Sequence, residues 1–156
     1  AQCVGRGTGL DDDGLAHKRA VLEAAMARHA DVREPLDVLA CFGGFEVAAM
    51  VGAVLEAAQR RMVILVDGFI ATAAVLVAAR AAPDVLRYCV FGHVSDERGH
   101  RALLEALDAR PLLSLSLRLG EGSGAVLAYP VVVSAVAFLR EMATFASAGV
   151  SERASP

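Results

Sequence analysis

The sequence predicts an α/β fold: an open, mostly parallel, Rossmann-like sheet flanked by helices. Short apolar runs that suit buried strands alternate along the chain with longer runs of helical periodicity, which is the order of elements in such sheets. Turns rich in glycine or polar residues follow the strand-like runs, at the edge of a parallel sheet where ligands bind. With 156 residues the chain is long enough for one domain with a substantial core.

The first third of the chain predicts a strand stub, a glycine turn and three helices. Residues 2–4 are short and apolar, and the glycine-rich residues 5–9 precede an acidic triplet. Apolar positions at helical spacing predict a helix over residues 15–26. A short helix over residues 35–41 stops at a Gly-Gly pair, and a longer helix of small apolar residues covers residues 45–59.

The rest of the chain alternates strands with helices. Residues 62–66 form a continuous apolar run, as in a strand that is covered on both faces. In residues 111–119, leucines alternate with polar side chains at the period of two that is typical of a strand. The other predicted elements are a helix over 69–80, a strand over 88–91 that ends at residues 92–95, a helix over 97–109, an apolar helix over 125–139 and a last helix over 140–150, before a frayed end at 151–156. Residues 1–139 therefore form one α/β unit, and residues 140–156 form its C-terminal helix and tail.

The composition predicts apolar surface that the chain cannot bury within itself. Hydrophobic residues make up 56% of the chain and aromatic residues 5%, and the mean hydropathy is +0.50. We expect this surface to pack against a partner subunit or against a part of the same protein that this sequence lacks. The net charge of −3 provides no general basic surface, which argues against nucleic acid as a partner.

Two further features bear on the location of the protein. The apolar runs over residues 68–79 and 125–139 are shorter than the roughly 20 residues that a membrane-spanning helix needs, so we expect buried helices and no membrane partner. Cys3, Cys41 and Cys89 are widely spaced, lack a zinc-binding pattern and fit reduced core cysteines of a cytoplasmic protein. The first residues do not resemble a signal peptide, which agrees with that location.

Glu121 is the most informative candidate for catalysis. It lies in a glycine-rich turn between the leucine-rich strand and the apolar helix that follows. Gly120 and Gly122 permit a positive φ and the close approach of a ligand, and Ser123 can cap the helix. A carboxylate in this place either meets a bound ligand or is only a charge that a helix N-terminus favours.

Other candidates follow the ends of the other strands, and each has a structural alternative. Residues 5–9 are either a phosphate-binding turn ahead of a helix N-terminus or an ordinary tight turn. Lys18, about two helical turns further on, could fold back to a phosphate or face water. Asp67 could accept hydrogen bonds from a sugar hydroxyl or cap the next helix. His93 could act as a general base or be structural, whereas His100 falls on a charged, helix-like stretch and is expected to be solvated.

Short motifs follow one another along the chain in a distinctive order. They are Val4-Gly-Arg-Gly-Thr-Gly-Leu10, Leu15-Ala-His-Lys18, Val38-Leu-Ala40, Gly43-Gly-Phe-Glu46, Val66-Asp-Gly-Phe-Ile70, His93-Val-Ser95, Gly99-His100, Arg118-Leu-Gly-Glu-Gly-Ser-Gly-Ala125 and Glu141-Met142. In this order and at these spacings, the motifs resemble the nicotinate-nucleotide:dimethylbenzimidazole phosphoribosyltransferase family, which acts in nucleotide-loop assembly of cobalamin. The resemblance covers nearly the whole chain, and the combination is specific where no single motif is.

The resemblance implies a reaction and a set of residues. Dimethylbenzimidazole displaces nicotinate from nicotinate mononucleotide and gives α-ribazole phosphate, with Glu121 as the general base. The implied substrate-binding residues are Gly7, Lys18 and Ser95 around the ribose monophosphate, Asp67 and Gly68 close to the nucleotide, Leu119 against the aromatic base, and Gly120 and Gly122 beside Glu121. The family implies no metal and no cofactor, and its members are typically dimers.

Members of the family are much longer than this chain, which resembles only their C-terminal part. Their N-terminal half, with a second glutamate that contacts substrate, has no counterpart here. Two hypotheses follow from this difference. The chain either works as a phosphoribosyltransferase in a homodimer or together with the missing half, or it is a non-catalytic fragment that retains nucleotide or partner binding.

Overall fold

The computed structural model describes residues 3–7 and 9–149. Its helices are α1 (Asp12–Arg28), α2 (Pro35–Phe42), α3 (Phe45–Gln59), α4 (Phe69–Ala81), α5 (His100–Ala106) and α6 (Ser123–Glu141). Its strands are β1 (Ile64–Val66), β2 (Cys89–Phe91), β3 (His93–Ser95) and β4 (Leu113–Leu117), and a 3₁₀ helix, Pro83–Tyr88, leads into β2. The predicted alternation of strands and helices is confirmed. Cys3 and Val4 lie in no strand, and the rest of the predicted stub and the tail over 151–156 fall outside the described residues.

The strands form a parallel layer whose middle strand is broken at Gly92. β1 pairs with β2, and β3 pairs with β4, both in parallel. The Gly92 amide donates to the Val66 carbonyl (2.8 Å), and the Leu112 amide donates to the Phe91 carbonyl (2.9 Å). β2 and β3 are therefore two parts of one central strand, with β1 on one side and β4 on the other. The parallel sheet is confirmed, but residues 93–95 continue the strand where the sequence predicted its end, because the pairing with β4 extends it.

The core lies where α3 and α4 pack against each other and against the sheet. Val51 and Val54 of α3 face Ala74, Val75 and Ala78 of α4 within one buried cluster. Small side chains on α4 allow the two helices to approach closely and fill the interior without large aromatic residues. The prediction that residues 68–79 form a buried helix is therefore confirmed. The prediction of core cysteines is wrong for Cys3 and Cys41, which are exposed, whereas Cys89 is half-buried.

The C-terminal end of the fold differs from the prediction. α6 is one 19-residue helix that runs across the predicted boundary between residues 139 and 140 and ends at Glu141. Residues 142–144 have no regular secondary structure and residues 145–149 form turns, where the sequence predicted a helix. The Thr144 and Ser147 hydroxyls bond to each other and to nearby backbone groups, which offers the backbone an alternative to helical hydrogen bonds.

α6 is also exposed, and the prediction of a buried helix over residues 125–139 is wrong. Only Gly124 and Ala128 of α6 are buried, whereas Val126 is 70% and Leu139 91% exposed. By length and composition alone, α6 could cross a membrane, whereas α4 is too short. Most of its apolar side chains face no other element among the described residues, so α6 provides part of the uncovered apolar surface that the composition predicted.

Candidate active site

A cavity of about 740 Å³ opens at the sheet edge where β1, β3 and β4 end. All nine residues predicted for the site line it: Gly7, Lys18, Asp67, Gly68, Ser95, Leu119, Gly120, Glu121 and Gly122. They come from the N-terminal turn, α1, the last residue of β3 and the segments that follow β1 and β4. The parallel layer therefore brings together residues that are far apart in the sequence, as expected of an open α/β sheet.

The turn that carries Glu121 has an unusual backbone. Gly120, Glu121 and Gly122 have φ values of 76°, 56° and 76°, so three successive residues adopt the left-handed region. The Ser123 amide closes the turn on the Gly120 carbonyl (3.0 Å), and α6 begins directly after it. A left-handed conformation costs a residue with a Cβ roughly 1–2 kcal/mol. The glutamate is therefore held at the cavity in a conformation that glycine would adopt more easily, as often occurs at functional sites.

Asp67, after β1, caps the helix that follows this turn. Its Oδ1 accepts a hydrogen bond from the amide of Ala125 (3.0 Å) in the first turn of α6. Gly122, at the N-cap position, has no side chain that could do this. Of the two alternatives, the cap is observed, but it serves α6 and not the next helix α4. Asp67 thus links the end of β1 to the turn that carries Glu121.

His93 lies below Asp67, almost completely buried. Its Nε2 is 3.8 Å from Asp67 Oδ1, beyond hydrogen-bond distance, and its Nδ1 has no partner within the described residues. The ring fits only because a glycine stands at position 124, where an added Cβ would lie 1.8 Å from His93 Cδ2. This packing favours the structural alternative for His93, as a support beneath Asp67 and the start of α6.

The N-terminal turn is held against the cavity by two cations. Lys18 folds back along α1, and its Nζ donates to the Gly5 carbonyl (3.1 Å). Arg118, just after β4, donates to the Gly7 carbonyl (3.0 Å) and to Glu97 Oε1 (3.1 Å). Both cations line the cavity, where each offers donors to an anion, and three carboxylates, Asp67, Glu97 and Glu121, line it as well. Thr8, in the middle of the turn, lies outside the described residues.

Sequence reasoning did not identify Arg118 as a site residue. The signal was its position directly before the Leu-Gly-Glu-Gly motif, but alternation placed it on the polar face of a strand. β4 ends at Leu117, so Arg118 belongs to the loop and reaches across to Gly7.

Ser95, at the end of β3, is fixed by two contacts. Its amide donates to His100 Nδ1 (2.8 Å), and its Oγ accepts from the Glu97 amide (3.2 Å). His100 is completely buried, and the expectation of a solvated side chain is wrong. Burial lowers the pKa of His100, His93 and Arg101 lower it further, and Asp67 opposes them.

Leu119 is the main apolar side chain beside Glu121. It lines the cavity and is largely exposed, so it offers a hydrophobic surface to a bound ligand. Within residues 3–7 and 9–149, no group of three His, Cys, Asp or Glu side chains is arranged to hold a metal ion.

Comparison with known proteins identifies the family. Residues 1–150 match a family model described as phosphoribosyltransferase. The nicotinate-nucleotide–dimethylbenzimidazole phosphoribosyltransferase of Ralstonia nicotianae is 80% identical over all 156 residues, and that of Cupriavidus necator is 70% identical. This chain covers 44% and 45% of their lengths, so it spans less than half of the curated relatives that it matches.

Solved structures agree with the sequence comparison. The crystal structure of the corresponding phosphoribosyltransferase from Thermus thermophilus superposes with a TM-score of 0.87 at 43% identity, covering 97% of this chain and 44% of that one. A second structure from that organism, CobT, gives a TM-score of 0.89 at 46% identity, covering 97% and 45%. The chain therefore belongs to the phosphoribosyltransferase family that contains these nicotinate-nucleotide–dimethylbenzimidazole enzymes, as its motifs predict.

Proposed function

We propose that this chain supplies the general base and the ribose-phosphate side of an active site that makes α-ribazole phosphate from nicotinate mononucleotide and dimethylbenzimidazole. The observation that carries the proposal is the convergence of all nine predicted residues on one cavity, with Glu121 on a strained turn at its wall. The names of the relatives support the same reaction.

The reaction requires a base that accepts a proton from the benzimidazole, and we assign this role to Glu121. One ring nitrogen of the benzimidazole attacks the anomeric carbon, and the bond from that carbon to the pyridinium nitrogen of nicotinate breaks. The bonding electron pair goes to the nicotinate nitrogen and neutralises its charge, so this group leaves readily. The benzimidazole becomes cationic and must lose the proton on its other nitrogen, which the Glu121 carboxylate accepts.

The opposite side of the cavity suits a phosphate. Lys18 supplies a positive charge, and the turn at Gly7 brings backbone close to the ligand. The Ser95 Oγ accepts from the Glu97 amide, and its own O–H donates to no acceptor within the described residues. It is therefore free to donate to a phosphate oxygen, and Asp67 and Gly68 line the same cavity.

We propose that α6 packs in the complete enzyme against the part of the relatives' length that this chain does not span, and that the complete enzyme is a cytoplasmic homodimer. The exposed apolar side chains of α6, such as Val126 and Leu139, support this proposal because isolated soluble chains rarely leave so large an apolar face uncovered.

A second candidate is a non-catalytic fragment that still binds a nucleotide or a partner. The observation that favours it is the coverage of only 44% of the relatives' length. On this hypothesis the cavity binds nicotinate mononucleotide, but no completing polypeptide restores turnover.

The test is formation of α-ribazole phosphate by this chain, alone and mixed with the remaining part of the Ralstonia nicotianae relative. We expect activity only in the mixture, and Glu121→Gln should lower the transfer rate by about 100-fold or more, as for the loss of a general base. Glu105→Gln is the matched control, because Glu105 is exposed on α5 and outside the cavity. Nucleotide binding without activity in the mixture would favour the second candidate, and equal rates for the two variants would exclude Glu121 as the base.

A further inference from the structure

A buried three-residue network lies directly beneath the cavity and was not predicted from the sequence. His100, the first residue of α5, contacts Thr72 of α4 through Nε2 (2.9 Å) and the Ser95 amide through Nδ1 (2.8 Å). His100 and Thr72 are 0% exposed and Ser95 is 7% exposed. The network therefore connects the core helix α4 to the end of β3 through direct contacts.

The hydrogen bonds define the tautomer of His100. The Ser95 amide is a donor, so Nδ1 must present a lone pair, and the proton must be on Nε2, where it can be donated to the Thr72 Oγ1. A protonated ring would direct an N–H of its own at the Ser95 amide. The neutral ring that burial favours is the only form that satisfies both contacts.

We propose that His100 is a positioning residue for the phosphate side of the cavity. By accepting a hydrogen bond from the Ser95 amide, it orients the Ser95 hydroxyl toward the ribose phosphate. This inference rests on the proposed function, because it assigns the ligand of Ser95 to that substrate. Thr72 holds the ring from behind, and the Glu97 amide occupies a lone pair of the Ser95 hydroxyl. The remaining freedom of that hydroxyl is the direction of its hydrogen, which can turn toward the cavity that Ser95 lines.

Two substitutions of His100 separate its two contacts. His100→Asn keeps an acceptor near the place of Nδ1 and loses the contact with Thr72, whereas His100→Gln keeps a donor near the place of Nε2 and loses the acceptor for Ser95. Thr72→Val is the third variant, because it removes only the contact behind the ring. Circular dichroism of each variant establishes that it is folded.

The first readout is nuclear magnetic resonance of the 156-residue chain. Wild-type His100 should have an unprotonated Nδ1, and the Ser95 amide should be protected from hydrogen exchange. Protection should be lost in His100→Gln and retained in His100→Asn and Thr72→Val. A protonated Nδ1 in the wild type, or an equally protected amide in His100→Gln, would overturn the proposal.

The second readout is affinity for ribose 5-phosphate compared with ribose. His100→Gln should weaken binding of ribose 5-phosphate about tenfold, as for one lost hydrogen bond to a charged group, and leave binding of ribose unchanged. His100→Asn should restore the affinity. Unchanged binding of ribose 5-phosphate by a folded His100→Gln variant would overturn the role of His100. If the wild type binds neither ribose 5-phosphate nor inorganic phosphate, the proposed function fails, and the resonance data alone decide whether His100 holds Ser95.

Discussion

Replacing Gly124 with alanine tests how tightly the start of α6 is packed against the sheet. The added Cβ would lie 1.8 Å from His93 Cδ2 and 2.4 Å from His93 Nε2. Carbon atoms in contact are roughly 3.5–4.0 Å apart, so the helix and the ring would have to separate by about 2 Å.

The magnitude follows from two opposing effects. Forcing an extra methyl group into a well-packed site costs about 1–3 kcal/mol, and the clash with a rigid, buried ring places Gly124→Ala at the upper end. The gain from replacing a helical glycine with alanine offsets about 0.5–1 kcal/mol of this cost. We expect the free energy of unfolding to fall by about 2 kcal/mol. Because Gly124 is in the first turn of α6, transfer activity should fall as well, since the Glu121 turn shifts with the helix.

The assay is urea unfolding followed by circular dichroism, with Gly52→Ala as the matched control. Gly52 is in the interior of α3, and an added Cβ there would meet no described atom within 4 Å. This control should therefore raise the free energy of unfolding by about 0.5–1 kcal/mol. If the Gly124→Ala variant were as stable as the Gly52→Ala variant, the close packing of His93 against α6 would be refuted.

Three further predictions concern conformation, protonation and reactivity. In urea titrations, the free energy of unfolding of Glu121→Gly should be about 1 kcal/mol higher than that of Glu121→Ala, because the φ of 56° strains alanine but not glycine. The free energy of unfolding should fall as the pH drops below about 6.5, because His100 binds a proton in the unfolded state, whereas burial lowers its pKa in the folded state. The slope is at most about 1.4 kcal/mol per pH unit, and His100→Asn should flatten it in urea titrations repeated at several pH values below about 6.5. Burial raises the pKa of Cys89 to about 11, so mass spectrometry should detect alkylation at the exposed Cys3 and Cys41 long before Cys89 reacts.

The sequence sufficed to locate the cavity because two simple regularities act together. Apolar runs identify strands, and parallel strands end at one edge, so unusual residues after separate strands must converge. Asp67 follows β1, Ser95 ends β3 and Glu121 follows β4, and all three line the cavity. No contact between them had to be known in advance.

The sequence could not predict features that depend on what lies opposite a residue. His100 sits among charged residues, but it is the first residue of α5 and points into the interior toward Thr72. α4 and α6 are both apolar, yet among the described residues only α4 has a neighbouring helix to cover it. Periodicity describes the faces of an element and not its neighbours, so it missed both the buried histidine and the exposed helix.

The position of Glu121 depends on contacts between distant parts of the chain. Asp67 reaches the Ala125 amide across 58 residues of sequence, and Arg118 reaches the Gly7 carbonyl across 111. Asp67 fixes the helix after the Glu121 turn, and Arg118 fixes the loop before it to the phosphate side of the cavity. Contacts on both sides of the proposed base thus hold it in place, and the Arg118 contact joins it to the proposed phosphate site at Gly7. On the proposed function, a change at Asp67 or Arg118 therefore alters the distance between Glu121 and the ribose phosphate, in addition to any direct contact of either side chain with the substrate.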